Sequence, residues 1–156
     1  NDASGIARAA NGSWRKALQL SDKSNKIEEI ESIWIMGLRG AFKSSENKKI
    51  VVELMGWAEK ISSLTRDEQK QFLEFGSNLI RSALVVNYKA KEASYYYSFN
   101  NFNVEKLAPF IHSKNILKII NLIDKTHYEI IRNANVKILF SNFILKIAKY
   151  LNMKEY

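Results

Sequence analysis

Residues 65–93, TRDEQKQFLEFGSNLIRSALVVNYKAKEA, are the stretch of sequence that best indicates the fold. Thr65 and Glu68 have the spacing of a capping box, in which each side chain bonds the other residue's backbone amide at a helix start. The residues that follow include an apolar set with the three-to-four-residue spacing of an α-helix. They are Phe72, Leu73, Phe75, Leu79, Ile80, Ala83, Leu84 and Val86, followed by Asn87. We therefore predict that the longest helix starts here and continues to about Ala93.

Two further helices are predicted before this stretch. The first begins near Asn25, which can cap it, with Glu28 closing the cap three residues later. Its apolar stripe is Ile27, Ile30, Trp34, Leu38 and Ala41, and that of the second helix is Val51, Leu54, Trp57, Ala58 and Ile61. Trp34 and Trp57 lie at the centres of these stripes, so we expect both to be buried.

Two more long helices are predicted after it. Ser113 is placed to cap a helix running from Lys114 to about Asn133, and residues 133–135 read as a turn. The last helix carries the apolar stripe Val136, Leu139, Phe140, Phe143, Ile144, Ile147, Ala148 and Leu151. With only six glycines and one proline in the chain, the predicted fold class is all-α. Two long antiparallel helix pairs with short links would form an antiparallel helical bundle.

Composition places the chain among ordinary globular proteins. Its 156 residues suit one domain, with 46% hydrophobic and 26% charged residues. The sequence contains no cysteine, which excludes disulfides and cysteine-based metal sites. No apolar run reaches the roughly 18 residues that span a bilayer, so we expect a cytoplasmic protein without a membrane partner.

The segment Ser94–Asn103 breaks the helical periodicity and is predicted to be a long loop. Its consecutive tyrosines, Tyr95 to Tyr97, could stack on unpaired bases. We favour the simpler interpretation, in which one or two rings pin the loop onto the bundle. Val104–Phe110 is predicted to be a short helix that ends at Pro109.

The formal net charge of +8 is the main indication of a nucleic-acid partner. Residues 101–156 carry nine basic and four acidic side chains, against 15 and 12 in residues 1–100. In the last helix, Lys137, Lys146, Lys149 and Lys154 recur at spacings that could form a basic stripe. A solvated helix face is the plainer interpretation. The alternative is a basic helical domain that binds single-stranded nucleic acid through these lysines and the Tyr95–Phe102 loop.

The sequence offers no catalytic residue, no metal ligand set and no cofactor site. It has no phosphate-binding G-x-x-x-x-G-K-[ST] loop and no H-E-x-x-H motif. The histidines, His112 and His127, lie on different predicted elements. Paired acids such as Glu28 and Glu29 belong to the first turns of helices, where negative charge favours the helix dipole. We therefore predict that this chain is not an enzyme by itself.

The N-terminal stretch Ala7-Arg8-Ala9-Ala10-Asn11-Gly12-Ser13-Trp14-Arg15-Lys16-Ala17-Leu18 resembles the end of an AAA+ lid. In that family a helix of small residues meets a Gly turn, and the next helix opens with the "sensor 2" arginine, here Arg15. Five later segments make the chain similar to the C-terminal part of bacterial DNA polymerase III delta-prime subunits, which belong to the clamp-loader family. They are Trp57-Ala58-Glu59-Lys60-Ile61, Glu68-Gln69-Lys70-Gln71-Phe72-Leu73, Arg81-x-Ala83-Leu84-x-x-Asn87-Tyr88, Leu107-Ala108-Pro109-Phe110 and Arg132-Asn133-Ala134-Asn135-x-Lys137-Ile138.

The resemblance implies two parts: residues 1–20 as a lid remnant, and residues 21–156 as the helical collar, or oligomerisation, domain. A collar packs laterally against the other subunits of a loader that places the sliding clamp on primed DNA during replication. The chain would then meet DNA and clamp only through the complete complex. Delta-prime subunits typically have a poor or absent ATP site, so the full-length parent would lack ATPase activity of its own.

Overall fold

The computed structural model describes residues 24–44, 47, 49–89, 96 and 98–155. Over these ranges the regular structure is entirely helical, which confirms the all-α class. The long helices are α1 (Ser24–Lys43), α2 (Ile50–Ser62), α3 (Arg66–Asn87), α4 (Ile116–Ile131) and α5 (Val136–Leu151). Two 3-10 turns, Val104–Lys106 and Ala108–Phe110, precede α4. The proposed lid remnant, with Arg15 and Trp14, lies outside the described residues.

The five helices alternate in direction along the bundle. The side chain of Lys137 at the start of α5 reaches Glu59 near the end of α2. At the other end, the amide of Asn152 donates to the carbonyl of Ala41 near the end of α1. The helix α5 packs against α1, α2 and α4, while α3 packs against α1 and α4. The predicted antiparallel helical bundle is confirmed.

The core contains two matched contacts between a tryptophan and a glycine. The indole of Trp34 lies so close to α3 that a Cβ added at Gly76 would meet its ring at 1.9 Å, and its Nε1–H donates to the carbonyl of Phe72 at 2.7 Å. Trp57 repeats the arrangement on α1, where a Cβ at Gly37 would meet the ring at 2.6 Å and Nε1–H donates to Ile33. Each indole thus bonds the carbonyl four residues before the glycine. A buried indole N–H needs such a partner.

These contacts belong to an aromatic cluster. The ring of Trp34 stacks on Phe72 with centroids 4.7 Å apart, and Phe143 meets Trp34 edge-on at 5.9 Å. Trp34 and Trp57 are 1% and 3% exposed, so the prediction that both are buried is confirmed. Because the rings come from α1, α2, α3 and α5, the cluster joins four helices.

Several predicted helix limits are confirmed. The capping box at Thr65 is complete: the amide of Glu68 donates to Thr65 Oγ1, and the amide of Thr65 donates to Glu68 Oε2 at 2.8 Å. The turn between the last two helices is present, with Asn133 in the left-handed region and Asn135 capping α5 through the amide of Ile138.

Other predicted limits were wrong. The third helix ends at Asn87 and does not reach Ala93, because Lys89 takes a positive φ of 59° that an α-helix cannot continue. Asn25 lies within α1 and not at its cap. Ser113 does not cap α4, which begins at Ile116 with Asn115 in the cap position. Pro109 lies inside a 3-10 turn, where its missing N–H is tolerated, and does not end a helix.

The packing of α2 could not be read from its short link to α3. Short connections usually join antiparallel neighbours, yet α2 packs mainly against α5 and α1. The apolar stripe of α2, which includes Leu54, Trp57 and Ile61, faces those two helices. Helix partners in this bundle are therefore set by matching apolar faces and not by the length of the connection.

Candidate interaction surfaces

The predicted basic stripe on α5 is divided between the two ends of the bundle. Lys137 lies at the start of α5 and forms an ion pair with Glu59. Lys149 lies near the opposite end of α5, about 18 Å further along at 1.5 Å per residue, and Lys154 follows the helix at that end. The structure therefore does not bring the four lysines together as one stripe.

The aromatic loop is pinned to the bundle by Tyr96. Its hydroxyl donates to Glu31 Oε1, and its half-buried ring meets Phe75 and Phe102 edge-on. Burial, and then the adjacent Glu31 carboxylate, raise the pKa of Tyr96. The pinning role predicted for this loop is confirmed for Tyr96, whose ring is unavailable for base stacking. Tyr95 and Tyr97 lie outside the described residues.

Glu31, which the sequence interpretation missed, is the buried anchor of this loop. It is fully buried, and its Oε2 accepts from the amides of Phe99 at 2.8 Å and Asn100 at 2.6 Å, and from Asn100 Nδ2 at 2.9 Å. A buried carboxylate is stable when such donors surround it. The sequence does contain a signal, because Glu31 falls between Ile27 and Trp34 in the apolar register of α1.

The two histidines lie in separate places. His112 is 2% exposed, and its Nε2 lies 3.0 Å from the carbonyl of Met153, so it ties the start of α4 to the end of α5. The buried Nδ1 of His112 has no hydrogen-bond partner among the described residues. Asn115 makes the same connection: Nδ2 donates to the carbonyls of Phe110 and Tyr150, and Oδ1 accepts from the amide of His112. We assign this cluster a packing role.

His127 lines a groove of about 720 Å³ between α3 and α4. The groove mixes acidic, basic and amide side chains, including Asp67, Arg81 and Asn78. Within the described ranges, no three His, Asp or Glu side chains are grouped so that they could hold a metal ion.

Charge is distributed unevenly between the ends of the bundle. We call residues 41–44, 47, 49–53, 87–89, 107–118 and 148–155 the basic end. It carries seven exposed lysines and two glutamates, Glu53 and Glu155. The lysines are Lys43, Lys49, Lys89, Lys114, Lys118, Lys149 and Lys154. Hydrogen bonds hold these segments together, including Asn87 Nδ2 to Ile111 and Asn152 Nδ2 to Ala41.

The opposite end, which we call the paired end, comprises residues 24–31, 57–70 and 124–140. It carries seven basic and eight acidic side chains. Ion pairs join Lys26 to Glu29 and Glu68, Lys70 to Asp67, and Lys137 to Glu59. By contrast, none of the seven lysines of the basic end forms an ion pair with the carboxylate of a described residue.

A second surface lies on the outer side of the hairpin formed by α4 and α5. Five large apolar side chains are exposed there by 43% to 69%. They are Leu117, Tyr128, Ile131, Ile138 and Leu145. Leu117 and Tyr128 are eleven residues apart, and Ile138 and Leu145 are seven apart, so each pair shares one side of its helix. That side lies opposite the buried stripe of the same helix. We call this surface the hairpin face.

The comparisons with known proteins give no relative: no family model, curated protein or solved structure matches the chain. No helix in the described part of the chain is long and apolar enough to cross a membrane.

Proposed function

We propose that this chain is a subunit-interaction domain of a DNA polymerase III clamp loader, equivalent to the collar of a delta-prime subunit. The observation that carries the proposal is the hairpin face, where large apolar side chains of two neighbouring helices point away from the core. Several large apolar side chains exposed on one side of a helix pair are what a surface that binds another protein would present. The helical bundle and the resemblance of five sequence segments to this family agree with it.

The residues of those segments have packing roles here. Trp57 fills the core beside Gly37, Asn87 bonds the carbonyl of Ile111, and Asn135 caps α5. Leu107 and Ala108 are buried, which holds the 3-10 turns against the bundle. Such roles suit a rigid domain that presents a surface. In the proposed assembly the chain acts by lateral binding in the cytoplasm and performs no catalysis.

The partners would be the ATPase subunits of the loader. Collar contacts between permanent partners should be apolar at the centre and bury on the order of 2,000 Å² or more. The exposed side chains Leu117 and Ile138 are the positions where a charge should harm such a contact most. Neither packs in the core, so replacing them should leave the fold intact.

Size-exclusion chromatography of the full chain with the loader's ATPase subunit tests the proposal. The wild-type chain should co-elute with the subunit at tens of micromolar, and the double variant Leu117→Asp/Ile138→Asp should not. Val52→Asp is the matched control, because Val52 is 75% exposed on α2 and lies outside the hairpin face. Absence of co-elution for the wild type, or equal co-elution for all three proteins, would overturn the proposal.

A further inference from the structure

We propose that the basic end of the bundle binds single-stranded nucleic acid, with its lysines on the phosphates and the exposed ring of Tyr88 against a base. This departs from the expectation that the chain meets DNA only through a complete loader. It is independent of the proposed function, because the hairpin face and the basic end use different side chains. The basic end also differs from the nucleic-acid site that the sequence predicted. Of that site, Lys137 pairs with Glu59 at the paired end and Tyr96 is bonded to Glu31.

Charge is separated between the two ends of the bundle. Each of the five helices contributes at least one exposed lysine at or beside its basic end, and the segment before α4 contributes another. The described residues of the basic end thus carry seven lysines and only two glutamates. Exposed like charges repel one another appreciably only within about one Debye length, roughly 8 Å at physiological salt. At the paired end, seven cations lie among eight carboxylates, and three of them, Lys26, Lys70 and Lys137, form ion pairs with described residues. Over the described residues the basic end therefore carries an excess of positive charge, which attracts a polyanion.

Helix dipoles do not account for this placement. Lys43 and Lys149 lie in the last turns of α1 and α5, where a cation is favoured. Lys49, however, occupies the N-cap position of α2, where its side chain makes no capping bond, and Lys118 lies in the first turn of α4. Lys114 comes just before that turn. A positive charge at a helix start is unfavourable, so these three lysines cost stability that a bound phosphate would recover.

Exposed aromatic rings at the same end favour nucleic acid over another polyanion. Tyr88 is 61% exposed at the end of α3 and directly precedes Lys89. Phe110 is 42% exposed and packs against Phe42, beside Lys43, with ring centroids 4.4 Å apart. Basic side chains with aromatic faces among them are the usual elements of single-strand binding, because unpaired bases stack on such rings. A duplex has no free base face to offer.

The test is fluorescence anisotropy of a labelled thymidine oligonucleotide of about 15 nucleotides, titrated with the full 156-residue chain. We expect a Kd on the order of 10⁻⁵ M near physiological salt, as for sequence-independent binding. Lys114→Gln/Lys118→Gln should weaken binding at least about fivefold at low salt and reduce the slope of log K against log salt by about 1.4, or 0.7 per phosphate contact.

Lys60→Gln/Lys125→Gln is the matched control. It removes the same two charges, from exposed positions of the paired end, and Lys125 lies on the same helix as Lys118. It should change the Kd by less than twofold. Equal weakening by both double variants would mean that only net charge matters, which would overturn the proposed site. Circular dichroism melts of both variants establish that each is folded.

Tyr88→Ala tests the stacking contact and should weaken binding about fivefold or more, the lower range for loss of one stacked base. Two competitors separate the ligand classes: a duplex of equal length, and polyglutamate of equal charge. Both should compete less well than the single strand. If polyglutamate competes equally and Tyr88→Ala has no effect, the surface binds acidic protein and the proposal is wrong. If the duplex competes better than the single strand, the proposed preference for single-stranded nucleic acid is wrong.

Discussion

The paired end and the basic end of this bundle are held together by different contacts. At the paired end, ion pairs on the surface join Lys26 to Glu68 and Lys137 to Glu59, and the aromatic cluster of Trp34, Trp57 and Phe72 lies near the middle of the bundle. The basic end has an aliphatic interior with buried amides. There Asn115 and His112 bond backbone carbonyls, while none of the seven lysines has an ion pair with a described carboxylate. Among the described residues, charge is thus balanced at the paired end and unbalanced at the basic end.

The largest effect is expected from the aromatic cluster. Trp34→Ala should lower the free energy of unfolding by about 3–5 kcal/mol, because it leaves a cavity and removes the bond to the carbonyl of Phe72. Tyr88→Ala, at the exposed ring of the basic end, should change it by less than about 0.5 kcal/mol. Urea unfolding followed by circular dichroism measures both. Similar losses would mean that the aromatic cluster contributes no more to stability than an exposed ring of the basic end.

The buried amide of the basic end should give the next largest effect. Asn115→Ala should cost about 2–3 kcal/mol, because the carbonyls of Phe110 and Tyr150 and the amide of His112 would lose their partner in the interior. Asn121→Ala, at an exposed position of α4, serves as the control and should cost less than about 0.5 kcal/mol. A small loss for Asn115→Ala would show that these bonds do not hold the basic end together.

Neutralising a lysine at the start of α4 should stabilise the protein. Lys118→Gln removes a cation from a helix N-terminus and should raise the free energy of unfolding by about 0.3–1 kcal/mol at low salt. The gain should disappear in about 1 M NaCl, where the Debye length is about 3 Å. Lys125→Gln, further along the same helix, should give no gain. Thermal melts at both salt concentrations decide whether the repulsion at the basic end is real.

The smallest effect is expected for the pH dependence of stability that arises from Glu68 at the paired end. Hydrogen bonds from Thr65 and then Lys26 lower the pKa of Glu68 from its ordinary value of 4.5. Its contribution to stability is therefore complete above pH 4.5 and is lost as the pH falls through the lower folded value. Glu68→Gln keeps a capping side chain but loses the ion pair, so it should cost less than about 1 kcal/mol near neutral pH.

This cost should shrink as the pH is lowered from 7 to 3, and urea titrations at each pH measure it. A difference between wild type and Glu68→Gln that stays constant with pH would mean that the negative charge of Glu68 contributes nothing to stability. Lys60→Gln is a suitable control, because Lys60 has no ion pair with a described residue and should show no such trend.

Local signals explain which parts of the fold could be predicted. The capping box at Thr65 and the cap at Asn135 depend on residues three apart, so the sequence contains everything that these contacts need. The burial of Trp34 and Trp57 follows from the helical period in the same way. The end of α3 was misplaced because periodicity continues weakly past Asn87 while a single left-handed residue, Lys89, ends the helix.

Contacts between distant residues explain what could not be predicted. Glu31 bonds the amides of Phe99 and Asn100, nearly 70 positions later in the chain, and no local pattern records that pairing. The sequence predicted that Lys137, Lys146, Lys149 and Lys154 share one surface of the last helix. The structure instead places Lys149 and Lys154 at the end of the bundle where α4 begins, with Lys114 and Lys118.

The sequence by itself determined the all-α class, most of the five long helices, the capping box and the apolar faces, because these depend on neighbours within one or two helical turns. Tertiary structure alone decided that α2 packs against α5, that Gly37 and Gly76 receive indole rings, and that positive charge collects at one end. Those outcomes depend on which apolar faces meet and how closely two backbones can approach. Such properties belong to pairs of helices, and no single segment of the chain contains them.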